Sequence, residues 1–432
     1  MVGREGRCKE LGMKRIGTMA VVGLGLGLVA GSAVGQELKP DPKYLKPGGA
    51  NNWTLTVNVT ARAWKDVDDQ GMPLNDIWKF DSAAVVFPVI AGTGSSKTDT
   101  GSVKGTVRFD DRTAATTFKI LTGYPSGTQL GRWDLTEKTG RELGLEVAIP
   151  ETSWETVYDD AAAEKIPWPT GAWPTVAASA LLPEWYIDYG PDERGSMKPY
   201  DKKPVDDLLL KWTNGKDPRK VNPAVLAKVL AGEVVGYVQT NSNGLNCNNL
   251  GQIEGIDLQG VPITAVKGQG TEFDAACLLV SLYRRAGLPA RLVVAVEAED
   301  PDSHKIFKQK DKNKLRAWVE FALYDEAGKT LTWVPVDTTR RRKFSSRVPD
   351  WSKPWKFFGT NDELDSMIPF AFQVHPPTTV RAYGSPGFWG WLVMPEPPGR
   401  AIQAIWFMAQ TTAVRGDDVK KKKEEERSGK GK

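Results

Sequence analysis

From residue 53 the chain alternates cleanly: Trp53, Leu55, Val57, Val59, Ala61 and Ala63 fall on one face, and Thr54, Thr56, Asn58, Thr60 and Arg62 on the other. A period of two over this length predicts a half-buried strand. Further strand-like runs follow at 84–90, 103–109, 114–121, 130–135 and 142–149, separated by Gly, Asp, Ser and Pro. Short strands at this spacing predict an antiparallel β-sandwich across residues 36–165. The next stretch, 166–199, is rich in Pro and Trp. Its IPWPTGAWP segment (166–174) reads as an extended linker, because proline fixes its own φ and disfavours helix before it. Trp168 and Trp173 are expected to pack across that junction.

The period then changes. Helices are predicted near 204–212 and 222–240, the second with Asn222 as cap, Pro223 in the first turn and a stripe of Val225, Val229 and Leu230. After an Asn- and Gly-rich loop (241–251), a helix is predicted from Glu272 to Ala286, stopped by Gly287 and Pro289. Strands follow at 291–298, 315–324 and 330–337. Helices followed by antiparallel strands make an α+β core over 200–345. Residues 346–415 carry aromatic runs (WKFFG at 355–359, GSPGFWGWLV at 384–393, QAIWFMA at 403–409) and read as a β extension packed onto that core. The end, 416–432, reads as a charged, disordered tail.

The first 35 residues look like an export signal: Lys14 and Arg15, an apolar run from Met19 to Ala30, then the small residues Ala33-Val34-Gly35. A secreted or periplasmic location is therefore expected. The run AVVGLGLGLVAG also mimics a dinucleotide-binding loop, but no βαβ pattern follows it. No later apolar run approaches the roughly 20 residues of a membrane span. The chain has 57 Lys and Arg against 53 Asp and Glu, a formal net charge of +4. That excess sits in the signal-like segment and the tail, so the body carries no nucleic-acid footprint. Only two His occur, His304 and His375, which leaves little for imidazole chemistry or a zinc site. No loop of the DxDxDG type offers calcium ligands, and no cofactor is expected. Of three Cys, Cys8 falls in the signal-like segment. Cys247 and Cys277 remain, and whether they pair is left open.

Residues 270–291, GTEFDAACLLVSLYRRAGLPAR, resemble the nucleophile segment of the transglutaminase-like superfamily, which runs Gly-x-Cys-x-Asp-x-Ala, an apolar helix, an Arg, then Gly-Ile-Pro-Ala-Arg. Two further frames follow in order: Arg316-Ala317-Trp318-Val319-Glu320 resembles the His-Ala-Trp strand, and Trp333-Val334-Pro335-Val336-Asp337 the Trp-x-x-x-Asp strand. The resemblance implies a papain-like fold and a Cys–His–Asp triad. On this register Glu272 holds the Cys position and Arg316 the His position, and only Asp337 is kept. Asp274, Trp318 and Trp333 occupy supporting positions, with Asp274 expected to act as a first-turn acceptor for backbone donors or for a nearby Arg. Arg284 and Arg291 also fit family positions and read as structural.

The replacements bear on mechanism. Family enzymes use a thiolate beside an imidazole as nucleophile, and the imidazole then protonates the leaving amine. A carboxylate is a poor nucleophile towards amides, and a guanidinium stays protonated and cannot act as a base. An inactive, protein- or peptide-binding or scaffold module is therefore expected, with a Glu272–Arg316–Asp337 bridge pinning helix to sheet. The partner expected in the cleft is a protein, a peptide or an envelope polymer. One alternative is an active thiol peptidase, amidase or cross-linking transglutaminase using Cys247 or Cys277. Against it, Cys277 lies about 140° around the helix from Glu272. Another alternative is an envelope- or carbohydrate-binding module that presents Trp389 and Trp391 as exposed indoles.

Overall fold

The computed structural model describes residues 43–67, 70, 73–75, 77–110, 112–192, 196–248, 252–298, 315–378, 387–395 and 400–411. The signal-like segment, His304 and the charged tail lie outside them. The alternation that opens at Trp53 belongs to a strand longer than its polar–apolar pattern, Leu45–Val67 (β1), with an irregularity between Pro47 and Ala50. Trp53, Leu55, Val57, Val59 and Ala61 are buried, as a period of two requires. Then come Trp78–Pro88 (β2), a tight hairpin of Gly92–Thr93 (β3) and Ser96–Thr98 (β4), Lys104–Phe109 (β5), Thr117–Leu121 (β6), Leu130–Gly140 (β7) and Glu142–Tyr158 (β8).

Helices Lys203–Trp212 (α1) and Pro223–Tyr237 (α2) follow, the second capped by Asn222 Oδ1, which accepts from the Ala224 and Val225 amides. A short pair, Leu245–Cys247 (β9) and Ile253–Ile256 (β10), leads to helix Glu272–Arg285 (α3). Strands Ala290–Glu297 (β11), Leu315–Asp325 (β12) and Thr330–Val336 (β13), helix Thr338–Phe344 (α4), and strands Met367–Ala371 (β14), Gly390–Met394 (β15) and Arg400–Thr411 (β16) complete the described chain. Smaller pieces connect them.

Most of the strands form three sheets. A ten-stranded sheet has the order β9-β10-β16-β1-β8-β4-β3, with β5 also on β8, and a four-stranded one runs β15-β2-β7-β6. The third, β13-β12-β11-β14, is antiparallel throughout and carries α3 against one face. The fold class is α+β. On β12, Ala317, Val319, Phe321 and Leu323 join the cluster that contains α3 residues Leu278, Leu279 and Leu282. Arg316, Trp318 and Glu320 alternate with them and so point from the other face of the sheet.

The aromatic C-terminal segment behaves differently from the extension anticipated for it. Of its described strands, β14 joins the core sheet. Strand β15 pairs with β2, and β16 pairs with β1 from Trp53↔Thr411 to Trp64↔Arg400. The last strands therefore complete the two N-terminal sheets. The unpaired edges of β1 and β2 supply the reason, since their backbone donors and acceptors need partners. One continuous apolar cluster runs from Leu55, Val57 and Leu145 through to Leu279, Leu282 and Val294.

Among its described residues the Pro- and Trp-rich stretch includes a short helix, Thr175–Ser179. Trp168 donates its indole N–H to the Val221 carbonyl (2.7 Å), lies edge-on to Trp173 and stacks under Arg219. Both indoles pack at the junction.

A polar layer joins the sandwich to the core. Arg291 is sandwiched between the Trp333 and Phe372 rings at 4.0 Å from each and pairs with Glu320 Oε2 (Nε 2.9 Å, Nη2 2.8 Å). The other Glu320 oxygen accepts the Gly94 amide at the tip of the β3–β4 hairpin (2.7 Å). Desolvation lowers the pKa of Arg291 despite that carboxylate. On α3, Arg284 binds Glu184, Asp188 and Ser126, so one guanidinium fastens the linker and a sandwich loop to the helix. Both arginines are buried and engaged by carboxylates.

Candidate functional site

Helix α3 begins where its chemistry is best defined. Thr271 is the cap: its hydroxyl accepts the Asp274 amide (3.1 Å), and Asp274 Oδ2 accepts the Thr271 amide (3.0 Å), a reciprocal capping box. Asp274 Oδ1 also accepts from the Gln259 (3.1 Å) and Gly260 (3.3 Å) amides. Burial pushes the Asp274 carboxyl upward, against these bonds, which pull it down. The residue thus holds the loop before the helix.

Glu272 is the first residue of α3, where negative charge meets the positive end of the helix dipole. Its carboxylate pairs with Lys343 of α4 at 2.8 Å. It does not pair with Arg316, so the three-membered bridge anticipated from the register does not form. Arg316, on β12, instead donates from Nε to Asp337 Oδ2 (2.9 Å) and places Nη2 2.8 Å from Glu363 Oε2. Two nearer carboxylates hold the guanidinium, and a long basic side chain on α4 takes Glu272.

Asp337 does two things at once. Its Oδ1 caps α4 by accepting the Arg340 amide (2.8 Å) and the Thr339 hydroxyl (2.9 Å), while Oδ2 takes Arg316. Glu363 bridges onward to Arg340 (Nε 3.1 Å, Nη2 2.8 Å). The result is a chain of charges, Asp337–Arg316–Glu363–Arg340, with Glu272–Lys343 beside it. Burial lowers the Arg316 pKa, but the Asp337 and Glu363 charges outweigh it and the net shift is upward. Burial likewise raises the Glu363 carboxyl, yet the hydrogen bonds and charges of Arg340 and Arg316 bring it below the usual carboxylate range.

Trp318 and Trp333 are both buried, and Trp333 is one of the plates that hold Arg291. Sequence reasoning missed Glu363, Arg340 and Lys343 as members of this group. Arg340 and Lys343 sit three apart on a helix capped by Asp337, so the Arg340–Lys343 run carried a signal. Glu363 carried none, because its loop position follows from tertiary structure.

The sulfur atoms lie elsewhere. Cys277 is fully enclosed within α3, and burial first, then the Asp274 charge, pushes its thiol well up. Cys247 is exposed on β9, its thiol raised by partial desolvation and by Glu254. They remain free thiols and do not pair. His375 packs its ring on Trp185 (4.3 Å between centroids), and burial lowers its pKa to about 4. No described contact joins either sulfur to an imidazole. Trp389 and Trp391 are buried, Trp391 with its N–H on Gln403, which removes the exposed indoles that a carbohydrate platform needs. Among the described residues no three His, Cys, Asp or Glu side chains gather as a metal site, and no helix is long and apolar enough to cross a membrane.

Residues 257–338 match the family model of the transglutaminase-like superfamily, a span that contains Glu272, Arg316 and Asp337. Among solved structures, a cysteine protease candidate from Cytophaga hutchinsonii is similar at 12% identity, covering 86% of this chain and 93% of its own, with a TM-score of 0.49. A protease candidate from Parabacteroides distasonis is similar at 8% identity, covering 66% and 58%, with a TM-score of 0.21. No curated protein matches the chain.

Proposed function

We propose that this chain, whose residues 257–338 belong to the transglutaminase-like superfamily, is an exported, non-catalytic member that binds a protein, peptide or envelope polymer at its former cleft. The observation that carries this reading is the state of Arg316. In the position of the family's imidazole, its guanidinium is engaged by Asp337 and Glu363, which favour the charged form. A group so held neither accepts a proton from a nucleophile nor hands one to a leaving amine. At the nucleophile position a carboxylate answers Lys343. Cys277 is enclosed, and neither thiol is lowered towards the thiolate that nucleophilic catalysis uses. Export rests on the Lys14-Arg15 pair, the apolar run after it and the small residues at 33–35.

The test combines chemistry and labelling. Amine incorporation into a glutamine-containing acceptor protein, and hydrolysis of peptide and amide substrates, are expected at background rates. Iodoacetamide labelling mapped by mass spectrometry is expected to modify Cys247 slowly, with a rate that climbs only at alkaline pH, and to spare Cys277 in the folded protein. Turnover abolished by Cys247→Ser or Cys277→Ser would overturn the reading, as would fast, stoichiometric alkylation at neutral pH.

A further inference from the structure

The segment that leaves the cleft has an unusual surface. Between Arg340 and Lys356 the chain carries Arg340, Arg341, Arg342, Lys343, Arg347, Lys353 and Lys356 against a single acid, Asp350. Carboxylates answer four of these cations: Glu363 takes Arg340, Glu272 takes Lys343, Asp350 takes Lys353 and Asp362 takes Lys356. Arg341 lies over the Trp355 ring, and Arg342 donates to the Val235 carbonyl. Arg341, Arg342 and Arg347 have no described carboxylate partner. The same stretch exposes three large apolar side chains, Phe344 (65% exposed), Val348 (51%) and Trp351 (52%). They lie within a length of chain that spans at most about 25 Å. Elsewhere the body, residues 36–415, carries 38 basic against 45 acidic residues, so the excess is local.

We propose that residues 340–356 form a docking surface for an anionic lipid bilayer. Two independent features meet here. Apolar tips surrounded by basic side chains suit the boundary between headgroups and acyl chains, where Trp and Phe enter and Lys and Arg stay among the anionic headgroups. Negative surface potential then adds to each cation that lacks a carboxylate of its own. Phe344 is held in place, stacked on the buried Phe357 at 5.5 Å, and Val348 rests against Gly236 of α2. Phe344 and Val348 are therefore presented by packed structure, which lowers the ordering cost of binding. An acidic polypeptide is the competing occupant. The exposed state of all three tips favours the bilayer, because a peptide-binding site shields its apolar anchors in a groove.

Sedimentation with phosphatidylcholine vesicles, with and without phosphatidylglycerol, tests the proposal on the full-length protein. Binding is expected only with phosphatidylglycerol and weakens as salt rises. Arg347→Gln is expected to weaken it about fivefold, and Phe344→Ser with Trp351→Ser together more than tenfold. All three positions are exposed, and circular dichroism of each variant checks that it folds. Absence of vesicle binding overturns the proposal. So does binding unaffected by these substitutions, which would assign it to the charged tail or the N-terminal segment. Capture of polyglutamate but not vesicles, lost in the same variants, would assign the surface to acidic polypeptide instead.

Discussion

Substituting Arg316 by Met removes the central cation of the charge chain while keeping most of its side-chain volume. Asp337 and Glu363 are then left facing each other without the guanidinium between them. Breaking a buried pair from one side costs about 3–5 kcal/mol. The lower end applies here. Asp337 keeps the Arg340 amide and the Thr339 hydroxyl, and Glu363 keeps Arg340. The expected loss is thus about 3 kcal/mol, read as a lowered urea midpoint at neutral pH. A double-mutant cycle with Glu363→Gln isolates the direct term, for which a coupling of about 1 kcal/mol or more is expected. The pH dependence supplies a second check. Glu363 is held below its ordinary pKa, so its contribution is present above the unfolded-state value and is lost as pH falls through the folded one. With Arg316 gone, that acid-side loss shrinks. A destabilisation under about 1 kcal/mol, together with an additive cycle, would refute the view that this guanidinium locks Asp337 and Glu363 together.

Three further outcomes follow from the same geometry. Glu272→Gln is expected to cost no more than about 1 kcal/mol, since its partner Lys343 is half-exposed, and urea titration that found a loss as large as for Arg316 would contradict this. Glu151 lies buried on β8, and burial raises its pKa well above the usual value, only partly offset by the Ser96 hydroxyl. Ionising it opposes folding, so stability declines as pH rises from the unfolded carboxylate pKa towards the folded one; Glu151→Gln is expected to flatten that decline and to raise thermal stability at neutral pH, measured by melting across pH. At the hairpin tip, a Cβ on Gly94 would stand 2.0 Å from the Trp333 carbonyl oxygen, so Gly94→Ala is expected to cost at least 1–3 kcal/mol (an order-of-magnitude figure for overpacking) in the same melts, and an unchanged midpoint would contradict the contact.

Local rules carried much of this structure into the sequence. The stop at Gly287 and Pro289 and the apolar run of α3 place that helix almost to the residue, because stop signals and periodicity act within a few positions, whereas its Thr271 cap emerged only from the structure. The strands at 315–325 and 330–336 were legible for the same reason. Pairing across the chain was not. Nothing in QAIWFMA names β1 as its neighbour, since a strand with two apolar faces fits any open edge equally well. In the site, Asp337 was legible from its frame, whereas the partners of Glu272 and Arg316 were not. A charge selects whichever opposite charge tertiary structure brings nearest, and Lys343 and Glu363 arrive on a helix and a loop whose placement the motif does not encode.

The seating of β16 between β1 and β10 bears on how the molecule is made. Synthesis delivers β1 early, yet its hydrogen-bonding edge finds β16 only after Arg400–Thr411 has emerged. Until then the nascent N-terminal sheet exposes a long ribbon of unpaired amides and carbonyls, an invitation to intermolecular pairing. Completion of this sheet therefore depends on a segment made more than 300 residues after β1, a pairing of the distant kind that slows folding. A chain shortened before residue 400 would leave that edge of β1 without its partner, and is expected to aggregate rather than to fold as a smaller protein.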